Sequence, residues 1–451
     1  MRSLGVTWLR RLFRGAKRSL STVDQGDPKS AGNEYPERGF RIVFLCDQTV
    51  DLHFPPHFGQ VYLYLLPKLG CDVSLGAFSR NQESSVAREV LASGRARLFR
   101  KRANTLFGRI LLACATPFLV GRWFRKTGLA HSDIIVVHND PVLAWTAWFL
   151  TRRTGAAFVY RITHLVPESI IASGGLGQRT VAKLAMIARN LLLRRSDAVI
   201  PMSKAMADYF ADKVGLSGDA MKPVESMVRV DELPTATEPQ CSGSYERVKQ
   251  ELESRTCTRW LVYIGTLDPQ RRPSFLLDTL GELRRNDPSV GLLVLGVTRS
   301  AWQLDVLRRY AREQKLEDYV VWSEPVPDDC LPAVLTLTDI GLSPLPIDEI
   351  LRTNSPVKTM DYIRGHIPVV ASAIPDNQYV LEESGGGVIA EYNPTAFASA
   401  AYKLLSESKE QRDERVARSV IWLRDNRDLN VAAEKLLEVF QLALKRRASE
   451  E

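Results

Sequence analysis

Ser355-Pro356-Val357-Lys358-Thr359-Met360-Asp361-Tyr362 runs directly into Ile363-Arg364-Gly365-His366-Ile367-Pro368-Val369-Val370-Ala371-Ser372. The pattern is a loop, a helix and a buried strand in quick succession, the unit from which parallel α/β sheets are built. Ser355 is placed to cap the helix, and Pro356 to take its first position, where a missing N–H costs nothing. The free N–H groups of the first turn form an anion site. Lys358 adds a cation, and Asp361, one turn on, brings a carboxylate to the same mouth. Gly365 ends the helix, and Ile367 to Ala371 reads as a short apolar strand. A helix N-terminus for a diphosphate beside a carboxylate for ribose hydroxyls describes a nucleotide-sugar site. The plainer reading is an ordinary α/β crossover with a tidy helix start.

Outward from this stretch the same alternation recurs twice. Arg41 to Cys46 is a buried strand, a loop holds His53, His57 and Gly59, Gln60 to Leu69 is helical, and Cys71 to Ala77 is the next strand. That βαβ unit implies a parallel sheet with right-handed crossovers. Further strands are expected at 133–138, 157–162 and 197–201, with helices at 141–151 and 180–195. From Gly215 to Thr258 the pattern breaks among Pro223, Pro234 and Pro239, which reads as an interdomain link. Trp260 to Ile264 opens a second alternation, with strands near 291–295, 319–322, 339–342, 367–371 and 387–390. A final helix near 431–445 has good 3.6-residue periodicity. The expected division is a basic arm and linker over 1–39, a first domain over 40–225, a link over 226–257, a second domain over 258–425 and a last helix over 426–451.

A chain of 451 residues suits two doubly wound domains. Its net charge of +8 fits a phosphate-bearing ligand or an anionic membrane surface. No aromatic-interleaved basic stripe points to nucleic acid. Cys46, Cys71, Cys114, Cys241, Cys257 and Cys330 are scattered, mostly in apolar runs, and read as unpaired thiols in a reducing compartment without structural zinc. No apolar run reaches 18 residues, so no spanning helix is expected. Residues 1–20 hold six basic side chains and no acid, with Val6, Leu9, Leu12 and Phe13 on one helical face. This is either an interfacial membrane helix or a solvated arm. Ile110 to Val120, flanked by Arg109, Arg122, Arg125 and Lys126, is either a buried helix or a second membrane-facing one.

In two facing doubly wound domains a ligand lies between them, at the carboxyl ends of the strands. The second domain's first strand ends in Gly265-Thr266-Leu267-Asp268-Pro269-Gln270-Arg271-Arg272. Gly265 admits a close backbone approach, and Arg271 or Arg272 can fork two diphosphate oxygens. In the first domain, Val159 to Thr163 leads to His164, and the preceding strand ends in His138-Asn139-Asp140. Asp140 either orients a ligand hydroxyl or caps the helix that starts at Pro141. No Asp-x-Asp pair has a plausible metal role, so no metal and no cofactor are expected.

The Ser355–Ser372 segment resembles the donor motif of retaining glycosyltransferases of family 4. There two Glu residues lie seven positions apart, followed by Gly-x-Pro-Val-Val-Ala. Asp361 stands at the second Glu and Thr353 at the first, and the Ser-Pro-x-Lys loop resembles that of a subgroup. The resemblance covers roughly residues 40 to 445 and implies the GT-B architecture, two Rossmann-like domains across a cleft. It implies a metal-independent, hexosyltransferase-like enzyme moving sugar from a nucleotide diphosphate sugar to a hydroxyl acceptor, in polysaccharide or glycolipid synthesis. The implied reaction is front-face departure, with the leaving phosphate taking the acceptor proton. His164, Arg271 and Lys358 fall at catalytic positions. Gly265, Arg272, Pro325, Val326, Asn354, Ser355, Pro356, Val357 and Asp361 fall on the donor side. His57, Gly59, His138 and Asp140 fall on the acceptor side. The acceptor is a sugar or a lipid-linked sugar, and the place of action the cytoplasm, including the inner membrane face. Two other readings are a nucleotide-sugar epimerase and a degenerate scaffold that binds a nucleotide sugar or a partner.

Overall fold

A computed structural model describes residues 39–50, 56–100, 106–230, 239–297, 301–328 and 330–450. The arm over residues 1–20, with its membrane reading, lies outside the described residues. The chain forms two six-stranded sheets, parallel throughout. The first has the order β3-β2-β1-β4-β5-β6, from β1 (Arg41–Thr49), β2 (Asp72–Ser79), β3 (Ala96–Arg100), β4 (Ile134–His138), β5 (Ala157–Ile162) and β6 (Ala198–Pro201). The second has the order β12-β11-β10-β7-β8-β9, from β7 (Arg259–Thr266), β8 (Val290–Val297), β9 (Val320–Ser323), β10 (Ile340–Ser343), β11 (Val369–Ser372) and β12 (Gly387–Ala390). Each order reverses beside its first strand, which places the strand-end crevices at β1/β4 and β7/β10. β3 was not foreseen, because Arg97 and Arg100 leave only Leu98 and Phe99 between them to mark a short edge strand.

β4, β5 and β6 are buried along their whole length because helices cover both faces. One face of the first sheet carries Val43, Ile135, Phe158 and Tyr160 against the helices over Leu106–Thr127, Pro141–Thr154 and Leu176–Leu193. The other face carries Ile42, Phe44, Val136 and Val159, and it is closed in part by the final helix, Leu429–Glu450. That helix buries Leu429, Ala432, Leu436, Val439, Phe440 and Ala443 in the first domain's core. Each large apolar side chain so buried contributes about 2 kcal/mol. β1 and this last described helix therefore belong to the same domain. The linker is tied to the joint before that helix: Val228 N donates to the Arg427 carbonyl at 2.9 Å and Val230 N to Asp428 Oδ2 at 2.9 Å.

Three expectations are corrected here. The region read as irregular link contains a helix, Pro239–Glu253, whose Val248 and Leu252 join the second domain's core. Pro239 opens this helix, where proline is tolerated, and does not interrupt it. The stretch expected as a loop to Gly59 is helical from Pro56, continuing through a π-helical segment at Val61–Leu65 to Lys68. Cys241 and Cys330 are joined in a disulfide, so they are not unpaired thiols. They lie 89 residues apart, and only packing of the Pro239–Glu253 helix beside Leu331–Leu335 brings them together. Cys46, Cys71, Cys114 and Cys257 are not disulfide-bonded.

Candidate functional site

The centre of the second domain's strand-end crevice is Lys358, on the first turn of the helix Val357–Arg364. The residue is 8% exposed, and its Nζ has no hydrogen-bond partner. The ammonium stands 3.9 Å from the centre of the Tyr263 ring. Burial, and then the charge of Arg271, push its pKa well below the usual lysine range. Gly265 lies beneath it with φ of 132°, and a Cβ there would meet Nζ at 3.3 Å. Glycine is needed at this position twice over, for its backbone angle and for the space. Two cations, a helix N-terminus and no carboxylate paired to Lys358 leave an anion-shaped deficit.

Arg271, not Arg272, is the arginine that converges on the site. Its charge acts on Lys358, Tyr263 and, across the cleft, on His164. Arg272 is exposed, with a left-handed backbone, φ 49°, and its charge acts on Tyr392. His164 follows β5 and is solvent-accessible. Enough protein surrounds the ring that desolvation lowers its pKa to about 4, with His138 and Arg271 acting in the same direction. The imidazole is thus neutral near pH 7, able to give or take one hydrogen bond. The domains touch at this rim: Ser169 Oγ donates to Gln270 Oε1 at 3.3 Å, and Gln270 Nε2 donates to Ser173 Oγ at 3.1 Å.

The donor loop is held from behind. Ser355 does not cap the helix; Pro356 occupies the cap position and supplies no side-chain hydrogen bond. Ser355 Oγ instead donates to Asp376 Oδ2 at 2.6 Å and accepts from Ser226 N at 3.0 Å. Arg427 closes the network on Asp376 Oδ1 at 2.6 Å. Thr353 is buried, and its carbonyl accepts from Ser203 Oγ of the first domain at 2.6 Å. The loop's backbone thus depends on both the linker and the opposite domain. Asp361 pairs with Arg364 at 3.0 Å, and burial raises its pKa to about 6. Arg364 in turn donates to the Asp328 carbonyl at 3.3 Å, so this pair lies under the loop that holds Pro325 and Val326.

On the first domain's side, His138 is fully buried with both ring nitrogens engaged. Nδ1 meets the Asp47 carboxylate, and Nε2 lies 2.9 Å from Thr163 Oγ1. Asn139 Nδ2 donates to the same Thr163 oxygen at 2.9 Å. His138 is therefore a positioning residue under the site and has no nitrogen left for an acceptor hydroxyl. Asp140 caps the Pro141 helix, accepting from Leu143 N at 2.8 Å. Gly59 lies in the Pro56–Gln60 helix, as does the backbone of His57. Cys46, Asp47 and His138 form the one cluster of metal-ligand types among the described residues, and the Asp47–His138 contact already occupies the ring nitrogen.

Sequence reading missed Asp47, Thr163 and Arg161. Arg161 is 4% exposed, with its guanidinium 5.5 Å from the Phe58 ring centre and no partner for Nε. Its signal was a charged residue inside the otherwise apolar β5.

Two family models match the chain. The glycosyl transferase 4-like domain covers residues 34–224, and glycosyl transferases group 1 covers residues 258–407. No protein of curated function matches in sequence. Among solved structures, Anabaena Alr3699/HepE in complex with UDP and glucose is similar, with TM-score 0.64 and 15% identity over 88% of this chain and 98% of that one. Sucrose-phosphate synthase from Thermosynechococcus elongatus gives 0.66 and 15% over 89% and 98%. The trehalose 6-phosphate synthase of Burkholderia multivorans gives 0.64 and 14% over 92% and 99%. At these identities the structural likeness shows the shared fold.

Proposed function

The chain belongs to the family 4-like glycosyltransferases of GT-B architecture, and on that premise we propose that it is a retaining, metal-independent hexosyltransferase using a nucleotide diphosphate sugar. The observation that carries this is Lys358, a buried ammonium with no hydrogen-bond partner, beside Arg271 at a helix N-terminus. A diphosphate supplies what the site lacks, and it is neutralised there by Lys358, Arg271 and the helix dipole. The UDP bound by Anabaena Alr3699/HepE supports a uridine base.

In this reading the bond from the anomeric carbon to the diphosphate breaks, and the acceptor oxygen bonds to the same face. The acceptor proton passes to the departing phosphate oxygen. Lys358 and Arg271 stabilise the charge that develops on that oxygen. Neutral His164 holds a hydroxyl of the transferred sugar from the opposite domain, and Asp361 with Val326 bounds the ribose and base. The acceptor is a sugar or lipid-linked sugar hydroxyl, in polysaccharide or glycolipid synthesis. The place of action is the cytoplasmic membrane face, whose anionic lipids attract a basic protein.

Release of UDP from UDP-glucose, with and without a lipid-linked sugar acceptor, tests this. Acceptor-dependent release with retention at the anomeric centre is expected. Thr353 at the first Glu position and the Asp361–Arg364 pair favour a second reading, a scaffold that binds the nucleotide without turnover. UDP binding with no release from any donor would establish that reading and overturn transfer.

A further inference from the structure

The outer helical layer of the first domain is not a solvated polar surface. On the helix Leu176–Leu193, Ala182, Arg189, Leu192 and Leu193 face inward. The centre of its outward face is apolar: Val181, Leu184, Ile187 and Leu191 are exposed, Leu184 by 64% and Ile187 by 54%. Leu184, Ile187 and Leu191 follow the i, i+3, i+7 spacing of a single stripe. Leu176, and Val166 and Ile170 on the preceding helix, carry exposed apolar surface on to the cleft rim, where Ser169 and Ser173 meet Gln270. Phe149 stands exposed on the adjoining Pro141–Thr154 helix.

The sequence that carries this stripe is strongly basic. Residues 101–195 hold 14 Lys and Arg against 3 acids, a surplus larger than the net charge of the whole chain. Each acid is engaged inside the domain: Asp133 with Arg41, Asp140 at its helix cap, Glu168 with Arg189. Arg152, Arg153, Arg179 and Lys183 are exposed on the helices that carry the apolar residues, and Arg194 and Arg195 are exposed just past the end of the second. Apolar side chains at the centre of a face with long cations at its edges suit a bilayer surface, where the former enter the acyl boundary and the latter reach the headgroups. No described helix is long and apolar enough to cross a membrane. We propose that this face, centred on Leu184, Ile187 and Leu191, docks the protein on an anionic lipid leaflet and holds the cleft rim at its surface.

The test is sedimentation of the full-length chain with phosphatidylcholine vesicles containing phosphatidylglycerol, with no donor or acceptor present, so its outcome is independent of the transfer reading. The parent should bind these vesicles and bind pure phosphatidylcholine poorly. Leu184→Gln/Ile187→Gln/Leu191→Gln should lower the partition coefficient by about a hundredfold. Lys183→Glu/Arg194→Glu, an independent pair that spares the apolar stripe, should lower it about tenfold or more. The proposal is overturned if the parent does not bind or if both variants bind like the parent, which would move the contact to another surface such as residues 1–20. It is also overturned if light scattering shows that the glutamine variant dissociates an oligomer while vesicle binding stays unchanged, which would make the face a protein interface.

Discussion

The histidine of one strand-end crevice and the lysine of the other meet burial in opposite ways. In the first domain, His138, Asp47, Thr163 and Asn139 satisfy one another. In the second, Lys358 is buried without a hydrogen bond, next to a second cation. A satisfied network holds a shape, whereas an unsatisfied buried charge destabilises the free protein and is relieved by losing its proton or by a ligand of opposite sign. Removing a member should therefore harm folding in one crevice and binding in the other.

The largest effect is expected from Lys358→Met. Transfer should fall by about a hundredfold or more, while the melting temperature of the free protein holds or rises, because an unpaired buried charge has been removed. A variant that melts earlier yet still transfers would reverse the contrast. Thr163→Val, in the other crevice, should do the opposite. It strands His138 Nε2 and the Asn139 amide, and urea unfolding should show a loss of about 1–3 kcal/mol, with UDP affinity unchanged by calorimetry. A normal unfolding midpoint would show that the network holds nothing.

Arg271→Ala and Arg272→Ala sharpen the comparison within the donor side. The first should weaken UDP binding about tenfold, the second hardly at all; equal losses would mean that both arginines reach the diphosphate. The smallest signal is the proton. Lys358 has a folded-state pKa well below its usual 10.5. The unfolded chain therefore binds more protons between those two values, and the free protein gains stability as pH rises through that window. A bound diphosphate raises the pKa again, so UDP binding should take up protons and weaken with rising pH. Calorimetry at about pH 9 in two buffers of different ionisation enthalpy measures this uptake; zero uptake would leave Lys358 remote from the anion.

The helix that begins beside Pro356, the strand after it, and the alternation on either side were legible because they depend on spacings of two to four residues. The apolar stripe Ala432, Leu436, Val439, Phe440, Ala443 announced a helix with one buried face. By itself the sequence determined two parallel sheets, a lysine in the first turn of the Val357–Arg364 helix, and a His just beyond the end of β5. Tertiary structure alone decided the partners. Asp47 reaches His138 across 91 positions because β1 and β4 are neighbours in the sheet. Ser355 bonds to Asp376 and Ser226 and does not cap its helix, Cys241 finds Cys330, and the charge of Arg271 acts on Lys358. Periodicity records which face of an element is apolar, but a polar group's energy depends on what strand order and helix packing set against it, and no local spacing carries that.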